Sequence, residues 1–339
     1  MPVDGQIAFV PADCVLAGVK CPTPTKVQFI SPPHFTRISD WSADASKALA
    51  FAQNSASSKT DLFILKPHDL SPQFLTSMAY LEDAQWSPDG KSVAIIGVKD
   101  GDPKTAGFTE NQIRLSRLYL LSSDGAEMRD LTGNLTGRKH DLSWLDQNTI
   151  LFEVYTAFDN CGLYKVNTLT SEQNRLTEPP TCDIAPAPSP DGTKIAFVDN
   201  DTAHGPGLRV FVMNSSGLDV QPVTEFQGIA VYPQWSKDGK WIILRSVEEH
   251  LEGAIYVVRP DGAGLQKIYQ EKALIYEKLL PPPLDRRLLI LVRSNMSGQV
   301  EKWVLLSIPD GKQQEILLPR MDQQSQPEWI SWRPAQSVK

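Results

Sequence analysis

A chain of 339 residues with 41% apolar and 8% aromatic residues is long enough to bury a sizeable core and too apolar to be a disordered segment. A formal net charge of −7 with no basic cluster argues against nucleic acid or an anionic membrane surface as the main partner. No apolar run reaches the length of a bilayer-spanning helix.

In chain order, the N-terminal segment opens with an apolar run, Gln6-Ile7-Ala8-Phe9-Val10, and continues to a second strand-like stretch at Val27 to Ser31. A phrase then begins to recur. It reads "ISDWSADASKALAFA" from Ile38, "AQWSPDGKSVAIIGV" from Ala84, "LSWLDQNTILFEVY" from Leu142, "PAPSPDGTKIAFVDN" from Pro186 and "PQWSKDGKWIILRSV" from Pro233. Ser87-Pro88-Asp89-Gly90 is turn chemistry: proline presets φ, aspartate bonds its own backbone and glycine takes positive φ without strain. Apolar, β-branched residues flank the turn, so each copy predicts a hairpin. A second hairpin follows each first one, turning at Ser123-Asp124-Gly125, Ser215-Ser216-Gly217, Pro260-Asp261-Gly262 and Pro309-Asp310-Gly311. Each repeat therefore holds four strands, A to D.

The strand A markers are Trp41, Trp86, Trp144, Pro188, Trp235, Pro283 and Trp332, in steps of 45, 58, 44, 47, 48 and 49 residues. Four short antiparallel strands at this spacing predict a propeller blade. The expected fold is all-β, a seven-bladed propeller in one domain spanning 1–339. Its blades are expected near 37–77, 82–132, 140–177, 183–224, 230–270 and 276–318, with a composite blade of 5–31 plus 326–339. The N-terminal segment lacks a strand A and reads as strands B, C and D. Trp332-Arg333-Pro334, with Trp329 as a rival register, supplies the missing strand and closes the ring. A six-bladed ring with an N-terminal extension is the alternative.

The Trp-Ser-Pro-Asp-Gly-Lys phrase followed by four apolar residues resembles the WD40-like repeats of TolB-type propellers. The same repeat type occurs in the propeller domains of prolyl-oligopeptidase-like peptidases and in oligogalacturonate lyases. The resemblance covers nearly the whole chain and speaks for the fold, because the phrase is scaffold. The small N-terminal α/β domain of TolB has no counterpart in the sequence. Nor does the separate catalytic domain of the peptidases, and no Gly-x-Ser-x-Gly elbow occurs.

Binding is expected on the face that bears the D–A and B–C loops, because the opposite face is built from terse Asp-Gly turns. His34 and His140 map to D–A loops there, and His204 and His250 to B–C loops. Oligogalacturonate lyases hold a metal through His and Gln, but no His-x-His spacing occurs here, and no resident cofactor is expected; an ion, if bound, belongs at the channel mouth. Glu82, Asp83, Asp141, Asp183 and Glu277 are read as an exposed acidic rim just before strand A, suited to a cation or a basic partner segment. The longest step holds an insertion after Val98, where Asp100 and Asp102 flank Gly101 as a fragment of a calcium-type turn.

Cys161 and Cys182 fall at the same end of one blade and are expected to pair; Cys14 and Cys21 are close in sequence and form the second candidate pair. Two disulfides imply an extracytoplasmic location, periplasmic or secreted. Four unpaired thiols in a reducing compartment are the alternative. No signal peptide is read at Met1 to Gln6. The expected function is a non-catalytic, monomeric scaffold for a protein or peptide partner. The alternatives are a carbohydrate-active enzyme with its site in the central channel, and a sensor or lectin-like domain of a larger protein.

Overall fold

The computed structural model describes residues 7–8, 29–30, 35–99, 116–157, 160–178, 182–199, 208–224, 229–247, 253–271, 287–293 and 300–316, apart from 45, 55, 58, 67, 68 and 134. Within them every regular element is a β-strand, and no helix is long and apolar enough to cross a membrane.

Five sheets have four strands each, and in every one the strands lie side by side in chain order, all antiparallel. Blade 1 holds Phe35–Trp41, Ala48–Asn54, Lys59–Lys66 and Asp69–Met78. Blade 2 holds Tyr80–Trp86, Ser92–Val98, Arg117–Ser122 and Met128–Asp130. Blade 3 holds Arg138–Trp144, Thr149–Ala157, Asn160–Asn167 and Gln173–Arg175. Blade 4 holds Asp183–Pro188, Lys194–Asp199, Arg209–Asn214 and Gln221–Pro222. Blade 5 holds Ile229–Trp235, Ile242–Val247, Gly253–Val258 and Gln266–Glu271. A sixth sheet shows three described strands, Arg287–Arg293, Val300–Ser307 and Gln313–Ile316, which match strands B, C and D. Ile7–Ala8 pairs antiparallel with Phe29–Ile30. These two are direct neighbours, where the repeat alignment expects a third strand between them. The C-terminal strand of the composite blade lies outside the described residues.

The recurring phrase has a local explanation. In blade 2 the Ser87 hydroxyl donates to Asp89 at 2.7 Å and accepts from the Ser92 amide at 3.0 Å. Asp89 also accepts from the Lys91 amide at 3.0 Å, and Gly90 closes the turn at φ 67°. The same bonds recur at Ser189 and Asp191 and at Ser236 and Asp238. Donation from Ser189 and the Thr193 amide holds the Asp191 carboxyl at about 2, and donation from Ser42 and Ser46 does the same for Asp44. A second recurrent residue finishes the outer edge. Buried Thr132, Thr177 and Thr224 each accept, through the hydroxyl, from an amide in the first half of strand C: Leu118 at 3.1 Å, Leu163 at 3.1 Å and Val210 at 3.0 Å. A side chain thus replaces the ladder bond that the short outer strand no longer supplies.

The core is a series of slabs between neighbouring sheets. Leu49, Phe51 and Ile64 of blade 1 pack with Trp86, Val93 and Ile95 of blade 2. Ala94 and Ile96 meet Ile150, Phe152 and Val154; Leu151 and Leu163 meet Ile195, Phe197 and Phe211. Val198 and Val212 meet Trp235, Ile242 and Leu244, and Ile243 and Ile255 meet Val304 and Leu306. In blades 2 to 5 strand B is buried on both faces, one toward each neighbour, which is why it reads as a largely continuous apolar run instead of alternating. The first strands of consecutive sheets also touch one another, from blade 1 to blade 5. Strand A is therefore the innermost, and its residues line the axis.

Candidate binding site at the channel mouth

Every described four-stranded sheet has an extra residue in its inner strand. The ladder between strands A and B slips at Thr36 and again at Ser39 in blade 1, and at Glu82 in blade 2. In blades 3, 4 and 5 it slips across Asp141-Leu142, Ala185-Pro186 and Tyr232-Pro233. These are β-bulges, which bend a strand and re-aim its side chains. Pro186 and Pro233 suit the position because a bulge leaves an amide outside the ladder. Asp141, Ala185 and Tyr232 take positive φ, at 45°, 54° and 54°. This region is costly for residues other than glycine, and least so for Asn and Asp.

The bulges bring charged groups from three blades together. Glu82 Oε1 accepts from His140 Nδ1 and, at 3.1 Å, from Arg138 Nη2. Arg37 of blade 1 donates to the Glu82 carbonyl, and its guanidinium lies 4.3 Å from the Phe51 ring centroid. Burial pushes the Glu82 carboxyl upward, but His140 and Arg138 together outweigh it and hold it below its usual range. Burial draws Arg37 down, opposed by Asp83, and raises the Tyr80 phenol, with Glu82 adding to the rise. Directly across the ladder from His140 stands Glu153. It is buried, and desolvation, reinforced by Asp141, pushes its carboxyl to about 7, while His140 and a bond from the Ala185 amide of blade 4 oppose the rise. Lys139, next along the strand, turns the other way. It is buried, donates to the Leu135 and Gly137 carbonyls, and is pulled by desolvation to about 8.

A disulfide sits beside this region. Cys161, in strand C of blade 3, is bonded to Cys182, just before the inner strand of blade 4, with the Cα atoms 4.3 Å apart. It ties two blades together at their common edge.

No family model matches the chain. A TolB homolog of Chlorobium luteolum is 30% identical over 150 residues, 43% of this chain and 31% of the relative, so the chain spans about a third of that curated relative's length. A solved structure of a putative TolB from Agrobacterium tumefaciens superposes with a TM-score of 0.53 at 21% identity, covering 72% of this chain and 84% of that one. An oligogalacturonate lyase in complex with manganese superposes with a TM-score of 0.62 at 13% identity, covering 91% of this chain and 82% of that one. At these identities the solved structures speak for the fold.

The chain is a β-propeller, and over 150 residues it is similar to a TolB homolog.

In this propeller the acidic residues expected in loops before strand A lie on the strand itself. Asp83 falls within Tyr80–Trp86, Asp141 within Arg138–Trp144, and Asp183 opens Asp183–Pro188. The bulge is the reason: pairing resumes on its far side, so the strand starts earlier than the apolar pattern shows. The uniformly exposed rim is also corrected. Asp183 is only 3% exposed and stands opposite buried Asp199. Asp83 is half-buried and accepts from the Ala84 amide at 2.9 Å, from Ser39 at 3.2 Å and from Gln85 at 3.4 Å. Asp141 alone of the three is exposed. His140 is likewise on strand A and half-buried against Glu82, not in a D–A loop. His34, His204, His250, Asp100, Asp102, Glu277, Cys14 and Cys21 lie outside the described residues. Among the described residues no group of three or more His, Cys, Asp or Glu side chains is arranged to hold a metal.

Sequence reading missed Arg37, Arg138, Glu153 and Tyr232. Glu153 did carry a signal: it is a carboxylate inside the apolar run Ile150-Leu151-Phe152-Glu153-Val154, where Phe51, Ile96 and Val198 stand in blades 1, 2 and 4. The others become neighbours only through blade-to-blade packing.

Proposed function

We propose that this propeller is a non-catalytic, extracytoplasmic scaffold that binds a protein or peptide segment at the mouth of its central channel. The observation that carries the reading is the convergence of Arg37, Glu82, Arg138, His140 and Asp141, from the bulged inner strands of three blades, with Glu153 of the adjoining strand B across the ladder from His140. Such a polar, preorganised rim on a rigid scaffold suits recognition of an extended segment. The Cys161–Cys182 disulfide supports an oxidising compartment. The reading requires no cofactor and no second copy of the chain.

The test is selection of displayed peptides on the intact protein, followed by binding to two variants. Asp141→Arg fills and recharges the mouth; Asp238→Asn alters a turn on the opposite face. Binders that are lost on the first and kept on the second are the expected result. Binders lost on Asp238→Asn and indifferent to Asp141→Arg would move the interface to the turn face and end this proposal.

One observation favours a second reading, an enzyme acting on a carbohydrate in the channel: a carboxyl held at about 7, as Glu153 is, falls where a general acid or base works best. Turnover of an oligosaccharide that disappears with Glu153→Gln, in a variant that still folds, would promote it.

A further inference from the structure

Strand register and alternation show what closes the channel end of each seam between blades. Phe51 of blade 1 packs toward blade 2, where Leu81 and Gly97 oppose one another in the ladder. Ile96 of blade 2 packs with Val154 of blade 3, and beside Val154 stands Lys139, whose ammonium is held by the Leu135 and Gly137 carbonyls. Val198 of blade 4 packs with Leu244 of blade 5, and Ser246 lies on the same side of that strand. These seams hold no carboxyl at the corresponding positions.

The seam between blades 3 and 4 is built from acids. Glu153 takes the place of Phe51, Ile96 and Val198, and it lies on the side of Leu151 and Leu163, which pack on blade 4. Asp183 and Asp199, opposed in the blade 4 ladder, lie on the side of Phe197, which packs on blade 3. All three acids are buried. Two tethers hold Asp183 against blade 3. The residue before it, Cys182, is bonded to Cys161, and Ala185, two residues after it, gives its amide to Glu153. Cys161 in turn opposes Tyr155, two residues on from Glu153 on the same face. The disulfide thus crosses the same seam that carries the three carboxyls.

The surrounding charges do not favour a charged Glu153. Asp141 of its own blade and Glu82 of blade 2 oppose its ionisation. His140 favours it, but His140 and Arg138 are both engaged with Glu82. Lys165, on the blade 4 side of strand C, is turned to the Ser215 carbonyl at 3.1 Å, and Arg175 lies over the Tyr164 ring. Blade 4 adds Asp183 and Asp199, with Arg209 across the ladder from Asp199. Ionising Glu153 therefore adds a negative charge to a closed, dry seam that already holds two carboxyls, and admitting water is the way to solvate it.

We propose that the seam between blades 3 and 4 is a proton-controlled hinge. With Glu153 protonated its channel end is shut; once Glu153 ionises, the two blades part there and water reaches the carboxylate, while the Cys161–Cys182 disulfide keeps them joined. The hinge does not depend on what the channel mouth binds.

The experiment is amide hydrogen exchange on the full, oxidised chain, read residue by residue by NMR and expressed as protection factors from pH 5 to 8. The Ala185 amide reports this seam, and the Ala84 amide, which donates to Ser39 of blade 1 at 3.3 Å, reports an apolar one. With Glu153 at about 7 in the closed seam and at its ordinary 4.5 in the open one, opening should rise about 70-fold over this range. The Ala185 protection factor should fall by that factor and the Ala84 factor should not. In Glu153→Gln, with its fold checked by thermal melting, the fall at Ala185 should disappear. Three results each overturn the proposal. Ala185 protection that holds or rises with pH means that the carboxylate stays in the closed seam as a stronger acceptor. An equal fall at Ala84 means that the whole propeller loosens and no hinge exists. A fall that survives in Glu153→Gln assigns the pH dependence to another group, His140 first among them.

Discussion

Glu153 makes the stability of the propeller depend on pH in a direction opposite to that of most acidic residues. Its carboxyl, ordinarily near 4.5, stands at about 7 in the folded chain, chiefly because burial penalises the charged form and Asp141 adds to the penalty. Below about pH 4.5 it is protonated in both states and contributes nothing. Between about 4.5 and 7 the unfolded chain ionises while the folded chain holds its proton, so stability falls as pH rises. Above about 7 the full cost is present, about 3 kcal/mol at 1.36 kcal/mol per pH unit. Glu153→Gln removes the titration and keeps an acceptor for the Ala185 amide. The variant should therefore match the parent near pH 4.5 and exceed it by up to about 3 kcal/mol at pH 8. For a chain of this length, with an unfolding entropy of roughly 0.7 kcal/mol/K near 60 °C, that is a rise in Tm of about 4 °C. Calorimetric scans of both proteins from about pH 4.5 to 8.5 measure it, and the groups shared by both proteins cancel in the difference except Asp141, His140 and Glu82, which feel Glu153 directly. A gap of constant size across the range, or one that closes as pH rises, refutes the reasoning.

The disulfide offers a second check: replacing Cys161 and Cys182 by serine should cost about 3 kcal/mol in the chain-entropy model for a separation of 21 residues, and non-reducing peptide maps of oxidised protein should show the pair linked. Two free thiols at these positions would contradict the structure. Two tryptophans at equivalent positions should respond differently to phenylalanine. Trp235 Nε1 donates to the Ala187 carbonyl at 2.9 Å, whereas buried Trp86 Nε1 has no partner. Trp235→Phe should therefore cost about 1 kcal/mol more than Trp86→Phe in urea unfolding, and equal costs would dismiss the bond as a contributor. The expected closure of the ring is tested by truncation from Trp329. Loss of the last strand should expose a blade-packing face and a sheet edge, giving aggregation or non-cooperative melting, and an unchanged melt would point to an open or six-bladed ring.

Repetition made the architecture readable from the sequence. Ser87, Asp89 and Gly90 act on atoms within five residues of themselves, so the hairpin they build is local information, and the copies at Ser189 and Ser236 repeat it. The apolar runs at Val93, Ile195 and Ile242 likewise reported a strand buried on both faces. The site was less legible. Asp141 was visible as an acid near an inner strand, but its neighbours Arg138 and His140 pair with Glu82, 56 and 58 positions earlier, and that contact exists only because blade 2 packs on blade 3. Asp183 and Asp141 look alike in sequence, yet one is buried opposite Asp199 and the other is exposed on a bulge. A bulge shifts a strand by one residue and so reverses which side chains face the axis, and no local pattern announces it. The sequence by itself thus determined the strands, the turns and their repetition, because those depend on bonds between near neighbours. Tertiary structure alone decided which charged groups meet at the channel and which bulge residues stay exposed, because that depends on how one blade is seated against the next.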